Sequence, residues 1–373
     1  MFNTIKKFFY FVLVVSLLGS LIWFYIQRKI ADEKSLIEEA FKNNDYSKII
    51  EFYQDVKISS KSKNQNYLRK CYQKAFALQK YGNIEDAKKY WDLVTSNSDN
   101  ESYKSNADFF IGQYYFNKSD FAEAEKYFNT PALLNKTCEY YSHAQYYLAK
   151  IEYDKKDIDN SRKRLLPLIK ITKDSDILKQ IKALLGTINI ERLYTRRITD
   201  NSIDYVILNG DILANIAQNY NTTVELIMKT NNYSSPVIRP NNHIKIVTSI
   251  FSIEVSKSKN ILTVYENGDF FKEYVVGTGR DNVTPIGTFK IVTKQVDPTW
   301  YRHDGKIIQY GDPENFLGTR WMSINYPGYG IHGTWDDESV GKQSSAGCIR
   351  LRNKEVEELF LYIPINTSVS ISE

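Results

Sequence analysis

Cys348 stands 16 residues after His332, and each sits in a short glycine-containing run: Gly330-Ile331-His332-Gly333-Thr334 and Ser345-Ala346-Gly347-Cys348-Ile349-Arg350-Leu351. A free thiol is only a few per cent ionised at neutral pH, so a cysteine that acts as a nucleophile needs a base or a cation beside it. His332 is within reach as that base if the intervening loop folds back. Gly347 permits a sharp turn and the close approach of another chain next to the sulfur. Arg350, two residues on, faces the same way as Cys348 if that stretch is extended. Taken alone, Cys348 reads as a small buried hydrophobe; this setting argues otherwise.

The remaining candidates narrow the chemistry. Cys71, Cys138 and Cys348 are too few for a disulfide framework, and an odd count leaves at least one thiol without an intramolecular partner. No Cys-x-x-Cys pair occurs, and His143, His243, His303 and His332 are scattered without metal-ligand spacing. A zinc site is therefore not expected, and no metal or organic cofactor is called for. Gly277-Thr278-Gly279 and Thr284-Pro285-Ile286-Gly287 could suggest a phosphate loop, but no helix and no Lys-Ser/Thr follow, so tight β turns are expected.

The elements that must position these residues are mostly β. Alternation predicts strands over 252–255, 261–265, 270–276 and 288–293, with Asn267-Gly268 as a hairpin turn. One helix is expected over Lys354 to Tyr362.

This stretch resembles the YkuD-type L,D-transpeptidase family, whose motif has a histidine followed some 14–17 residues later by Ser/Thr-His-Gly-Cys. The likeness extends over residues 251–371. It includes Gly279, Thr284-Pro285-Ile286-Gly287, Phe289, Leu317-Gly318-Thr319-Arg320-Trp321 and Ile331-His332-Gly333-Thr334. Ala346 departs from the pattern, standing where many members carry a second histidine.

The resemblance implies two-step acyl transfer on peptidoglycan, with His332 taking the Cys348 proton and the thiolate attacking the third residue of a stem tetrapeptide. D-alanine leaves, and an amine of a second stem resolves the thioester to a 3→3 cross-link. The Cys348 N–H, alone or with that of Gly347, would stabilise the oxyanion, and the Gly333 carbonyl would orient the imidazole. Ser345, Thr334 and Trp335 are expected at the substrate, and Arg350 either holds a substrate carboxylate or braces the loop. Trp300, Trp321 and Trp335 line the cleft or serve as core residues.

Upstream, 203–248 reads as strand, helix, helix, strand. Gly210-Asp211 turns the chain, with Asp211 as a helix cap. Thr222 and Glu225 fit a capping box. Tyr205, Val206, Gly210-Asp211, Leu213, Ile216-Ala217, Tyr220, Thr223, Leu226, Asn231 and Pro240 make this module resemble LysM. That resemblance implies N-acetylglucosamine-containing glycan binding, with Gly210, Asp211, Ile212 and Asn231 expected at the groove. His243 reads as an exposed strand residue.

Residues 33–195 carry apolar side chains at helical spacing. Four turns recur: Asn44-Asp45-Tyr46, Gly82-Asn83-Ile84, Ser119-Asp120-Phe121 and Lys156-Asp157-Ile158, with their second members 37 or 38 apart. Four residues on from each stand Ile49, Ala87, Ala124 and Ser161. Eight residues on stand Tyr53, Trp91, Phe128 and Leu165. Small residues let paired helices approach, and the larger ones fill the groove between them. The pattern resembles a tetratricopeptide-like solenoid, read either as a surface for a protein partner or as a rigid spacer. Its tyrosines (Tyr114, Tyr115, Tyr140, Tyr141, Tyr146, Tyr147) read as helix-packing residues.

Phe8 to Ile26 is a run of 19 uncharged residues, about 28 Å as a helix, and so matches a bilayer core. Lys6, Lys7, Arg28 and Lys29 flank it, with Tyr10, Trp23 and Tyr25 near its ends. No Ala-x-Ala-like site follows, which favours an uncleaved anchor over a signal peptide.

The expected architecture is thus multidomain: a cytoplasmic stub and transmembrane anchor (1–29), tetratricopeptide-like helical repeats (30–198), a βααβ LysM-like module (203–248) and a mostly-β catalytic domain (251–373). The expected location is the bacterial cytoplasmic membrane, single-pass, with the C-terminal domains extracytoplasmic. Expected partners are stem peptides, glycan strands, the membrane through 8–26 and a protein on the repeats. Net charge is +8 over 1–202 and −3 over 249–373, with no dense basic run, so nucleic acid is not among the expected partners. The competing readings are an L,D-carboxypeptidase with water as acceptor, a non-catalytic wall-binding scaffold and, more distantly, a cysteine protease.

Overall fold

A computed structural model of the protein describes residues 2–59, 62–302 and 304–373, with side chains from residue 13 onward apart from 131 and 132. His303 and the side chains of Lys6, Lys7 and Tyr10 lie outside the described residues. The chain divides into two compact units, Met1–Tyr147 and Leu148–Glu373.

The first unit is helical: α1 (Phe2–Lys42), α2 (Tyr46–Phe52), α3 (Gln65–Tyr81), α4 (Ile84–Asn97), α5 (Glu101–Asn117), α6 (Phe121–Phe128), α7 (Pro131–Leu134) and the start of α8 (Tyr141–Asp154). α1 has 41 residues, about 60 Å at helical rise. Its large apolar side chains from Leu13 to Ile26 are all exposed, and it is long and apolar enough to cross a membrane. The helix has no break at residue 29. It continues to Ile37 and Ala40, which are buried with Ile49, Tyr53 and Ala77. The apolar segment is therefore one rod with the first helix of the repeats.

Each recurrent turn uses the same two devices. Asn44, Gly82 and Ser119 lie in the left-handed region, at φ 54°, 95° and 60°. The next residue (Asp45, Asn83 or Asp120) then caps the following helix by accepting a backbone N–H, which satisfies a donor the helix leaves unpaired. Ile49, Ala87 and Ala124, and likewise Tyr53, Trp91 and Phe128, are all buried. The expected tyrosine packing is present: Tyr147 stacks on Phe128 at 5.3 Å, Tyr115 on Tyr127 at 5.7 Å and Tyr140 on Phe109 at 4.4 Å.

The second unit opens with the rest of α8, α9 (Ile158–Leu165), α10 (Leu168–Ile171) and α11 (Ser175–Tyr194). The fourth turn follows the same rule, with Lys156 at φ 65° and Asp157 as cap. Ser161 and Leu165 are buried. α11 packs on α9, where Arg162 Nε donates to Asn189 Oδ1 at 2.8 Å, and also lies on the C-terminal sheet. Asn189 Nδ2 donates to the Phe271 carbonyl at 2.8 Å, and Ile190 and Leu193 enter the C-terminal core.

β1 (Ser202–Val206), α12 (Leu213–Asn219), α13 (Val224–Asn231) and β2 (His243–Val247) form the small module, with β1 and β2 antiparallel from Ser202↔Val247 to Val206↔His243. Both expected caps shift. The α12 N-cap is Ile212, while Asp211 accepts from the Leu208 N–H at 2.8 Å and from the Tyr205 hydroxyl at 2.9 Å, bracing the turn before the helix. For α13 the cap is Thr223, not Thr222, because its Oγ1 takes the Leu226 N–H at 2.9 Å. His243 is an exposed strand residue, 2.8 Å from Asp204. Leu226 and Val247 are buried in the core of the C-terminal domain, so the module is packed on that domain rather than tethered to it.

The C-terminal domain contains β3 (Phe251–Ser256), β4 (Ile261–Glu266), β5 (Asp269–Val275), β6 (Thr278–Gly279), β7 (Gly287–Val296), β8 (Trp300–Tyr301), β9 (Ile307–Ile308), β10 (Arg320–Ile324), β11 (Gly330–His332), β12 (Gln343–Ser345), β13 (Ile349–Arg350), α14 (Asn353–Tyr362) and β14 (Ser368–Ser372). Eight strands form one sheet in the order β13-β11-β10-β7-β14-β3-β4-β5. The β4–β5 hairpin turns at Asn267 and Gly268, both at positive φ, as Asn-Gly predicts. α14 buries Val356, Leu359 and Phe360 in the sheet's core.

Candidate active site

Strand pairing brings the two halves of the motif together. β11 and β13 run parallel with Ile331↔Ile349 and His332↔Arg350. Both isoleucines are buried in the core, so alternation turns His332 and Arg350 to the opposite face. Cys348, one residue before β13, stands level with Gly330. At ordinary strand spacing its Cα is about 8 Å from that of His332.

His332 is 3% exposed. Its Nδ1 lies 2.6 Å from the Gly333 carbonyl, which fixes Nδ1 as the protonated nitrogen and leaves Nε2 as the basic one. Burial, with the Arg350 guanidinium adding to it, pulls the imidazole down to about 4, against the smaller upward pull of the Gly333 and Leu317 carbonyls. The ring is therefore neutral at neutral pH. Trp321, its cross-strand partner, lies 5.8 Å away between ring centres.

Cys348 is half-buried and its thiol donates to the Gly328 carbonyl at 3.6 Å. Burial pushes the thiol up, while the Gly330 N–H and the Arg350 charge pull it down. The two directions together describe a neutral thiol and a neutral imidazole on the same face of neighbouring strands, not a standing ion pair. Proton transfer then accompanies attack.

The loop carrying the sulfur is held by hydroxyls. Gly347 has φ 129°, and a Cβ there would meet the Tyr329 ring at 2.5 Å; both facts require glycine. Ser345 Oγ donates to the Cys348 carbonyl at 2.6 Å and accepts the Gly347 N–H at 3.0 Å. Thr284 Oγ1 donates to the Gly347 carbonyl at 2.8 Å and accepts the Gly279 N–H at 2.7 Å. The Cys348 N–H has no partner among the described residues.

Several expected roles change with this geometry. The Gly347 N–H is taken by Ser345, so it is not free for an oxyanion. Ser345, 2% exposed, is spent on bracing the loop rather than on substrate. Thr334 is buried and accepts the Asp336 N–H at 3.1 Å, closing a turn. Trp335 remains a candidate contact: it is exposed, 6.2 Å from the Tyr310 ring. Trp300 packs on Phe316. Arg350 has a buried Nε without a hydrogen-bond partner and no ion pair among the described residues.

Sequence reasoning missed the parts played by Thr284, Tyr329 and Asn353, whose Oδ1 takes the Thr319 N–H at 3.0 Å and would collide with any side chain at Gly318 or Gly333. Only Thr284 had a signal, as a residue within the Thr-Pro-x-Gly run.

In the small module, Gly210 has φ 90° and Ile212 is exposed, beside exposed Leu208. Asn231 is 6% exposed and fully used: its Nδ2 donates to the Ile227 and Lys245 carbonyls and its Oδ1 takes the Lys245 N–H at 2.8 Å. It ties α13 to β2. A cleft of about 970 Å³ lies elsewhere, among Arg162, Lys163, Pro167, Arg192 and Asp269.

Comparison with known proteins gives the family. Residues 251–371 match the L,D-transpeptidase catalytic domain family YkuD, and 205–247 match the LysM domain family. Bacillus subtilis YqjB, named as an L,D-transpeptidase, is 43% identical over 125 residues, 32% of this chain and 69% of the relative. Bacillus subtilis YkuD, named likewise, is 30% identical over 177 residues, 46% of this chain and 99% of the relative. The NMR structure of the catalytic domain of the E. faecium L,D-transpeptidase is 27% identical with a TM-score of 0.28, covering 32% of this chain and 95% of that one. The chain belongs to the YkuD-type L,D-transpeptidase family.

Proposed function

We propose that the protein is a membrane-anchored peptidoglycan L,D-transpeptidase in which Cys348 is the nucleophile and His332 its base. The observation that supports this reading is the parallel pairing of β11 with β13, which brings the strand of the buried neutral imidazole next to the segment that carries the half-buried thiol. The sulfur attacks the carbonyl of the third stem residue as His332 Nε2 takes the thiol proton. The developing oxyanion accepts from the Cys348 N–H. Collapse expels D-alanine, whose amine takes that proton from His332, and leaves a thioester on Cys348. The amine of a second stem then attacks the thioester, gives its proton to His332, and the sulfur leaves and regains it. Arg350, which makes no ion pair among the described residues and has a buried Nε without a hydrogen-bond partner, holds a substrate carboxylate. The exposed edge of the LysM module at Leu208, Gly210 and Ile212 holds glycan. The exposed apolar half of α1 anchors the chain, with its N-terminus cytoplasmic and the remaining domains on the wall side.

The test is incubation of the detergent-solubilised full chain with tetrapeptide muropeptides. Cross-linked dimers are expected, and Cys348→Ala should reduce their formation about a thousandfold or more with an unchanged unfolding midpoint. Tripeptides alone would identify water as the acceptor. Undiminished turnover by Cys348→Ala would overturn the assignment of the nucleophile.

A further inference from the structure

We infer that Thr284 is a positioning residue that aims the oxyanion-binding N–H of Cys348. The peptide linking Gly347 to Cys348 is one rigid plane, with the Gly347 carbonyl and the Cys348 N–H pointing in opposite directions. Thr284 Oγ1 donates to that carbonyl at 2.8 Å. Anchoring one end of the plane sets the direction of the other. The hydroxyl is itself fixed, because it accepts the Gly279 N–H at 2.7 Å and Thr284 is 2% exposed.

The neighbouring peptides are held by a different hydroxyl. Ser345 takes the Gly347 N–H of the preceding plane and donates to the Cys348 carbonyl of the following one. Three consecutive peptide planes around the sulfur are thus pinned by two side chains, and the central one depends on Thr284. Thr284 is seated by the loop before it. There Asp281 and Asn282 take left-handed conformations (φ 52° and 63°). Lys257 Nζ donates to the Asn282 carbonyl at 3.1 Å and Asn282 Nδ2 donates to Glu373 at 3.0 Å. Gly279 admits no side chain, since a Cβ would lie 2.8 Å from the Thr284 nitrogen.

The inference rests on the reading of Cys348 as nucleophile, and the experiment separates the two. Full-length wild type, Thr284→Val and Thr284→Ser are compared in two reactions followed by mass spectrometry at the Cys348 peptide. Acylation by imipenem forms an oxyanion, whereas alkylation by iodoacetamide displaces iodide at a saturated carbon and forms none. Thr284→Val should slow acylation by about a hundredfold and leave the rate and pH profile of alkylation within about twofold. Thr284→Ser should restore acylation to within several-fold of wild type. Equal slowing of both reactions, no slowing of either, or failure of serine to rescue overturns the inference. If Thr284→Val does not fold, Thr284→Ala takes its place in the same comparison. Failure of the underlying reading looks different: wild type itself would not acylate at Cys348, or Cys348→Ala would still form cross-links.

Discussion

The repeat turns of the first unit and the Ser345–Arg350 loop of the second are built with the same devices and put them to opposite ends. In the repeats, one left-handed residue reverses the chain and one Asp or Asn side chain caps the next helix, as at Ser119 and Asp120. In these turns the caps satisfy backbone N–H groups and the residues four and eight positions on are buried. In the loop, Gly347 also takes a positive φ, and Ser345 and Thr284 also bond the backbone. What they hold there is incomplete among the described residues: a Cys348 N–H without a hydrogen-bond partner, a neutral buried imidazole and an Arg350 guanidinium without an ion pair. Satisfying the backbone on one side of a peptide leaves the other side available for chemistry.

Three substitutions separate these uses. The largest effect is expected at Gly347→Ala, where positive φ and the Tyr329 ring both oppose a Cβ. Steady-state transfer should fall about a hundredfold while circular dichroism of the helical repeats is unchanged. Near-wild-type turnover would show that the loop is not held as tightly as this comparison requires.

The second concerns His332. An unfolded imidazole binds a proton below about 6.5, whereas in the fold this ring stays neutral until about 4. The folded state therefore binds fewer protons in that window, and stability falls as pH drops through it. Denaturant titrations at pH 7 and pH 4 should show wild type losing roughly 3 kcal/mol more than His332→Gln. An equal loss in both proteins would place the ring in contact with water.

The smallest effect is at Asp120→Ala, which removes one cap. Stability should drop by about 1 kcal/mol and transfer should be unaltered, as read by urea unfolding and by the muropeptide assay. Lost activity would mean that the repeats do more than support.

Much of this was legible in residue types and spacing. The four turns announce themselves through Asn or Asp at 37- or 38-residue intervals, and the buried positions follow because helical periodicity is a local property. The family to which the His332 and Cys348 motif belongs was legible through resemblance, and Asn267-Gly268 predicted its own hairpin. Asp211, Thr222 and Asn231 were misread for one physical reason: short polar side chains serve caps, turns and long-range staples equally well. Which one they serve depends on the neighbours the fold brings. Thr334 and Ser345 followed the same course, since a hydroxyl near a reactive group is as useful to the backbone as to a substrate.

By itself the sequence determined the four recurrent turns, which residues alternate along strands, the apolar length of the N-terminal helix and the motif that holds the proposed nucleophile. These depend on interactions within a few residues, or on a motif whose members are close in the chain. Only the tertiary structure decided that α11 and Leu226 serve the catalytic domain's core, that Thr284 meets Gly347 across 63 residues, and that His332 is dry enough to stay neutral. Each is a matter of burial and of partners supplied from distant segments, and desolvation acts on a group only once the whole fold has closed around it.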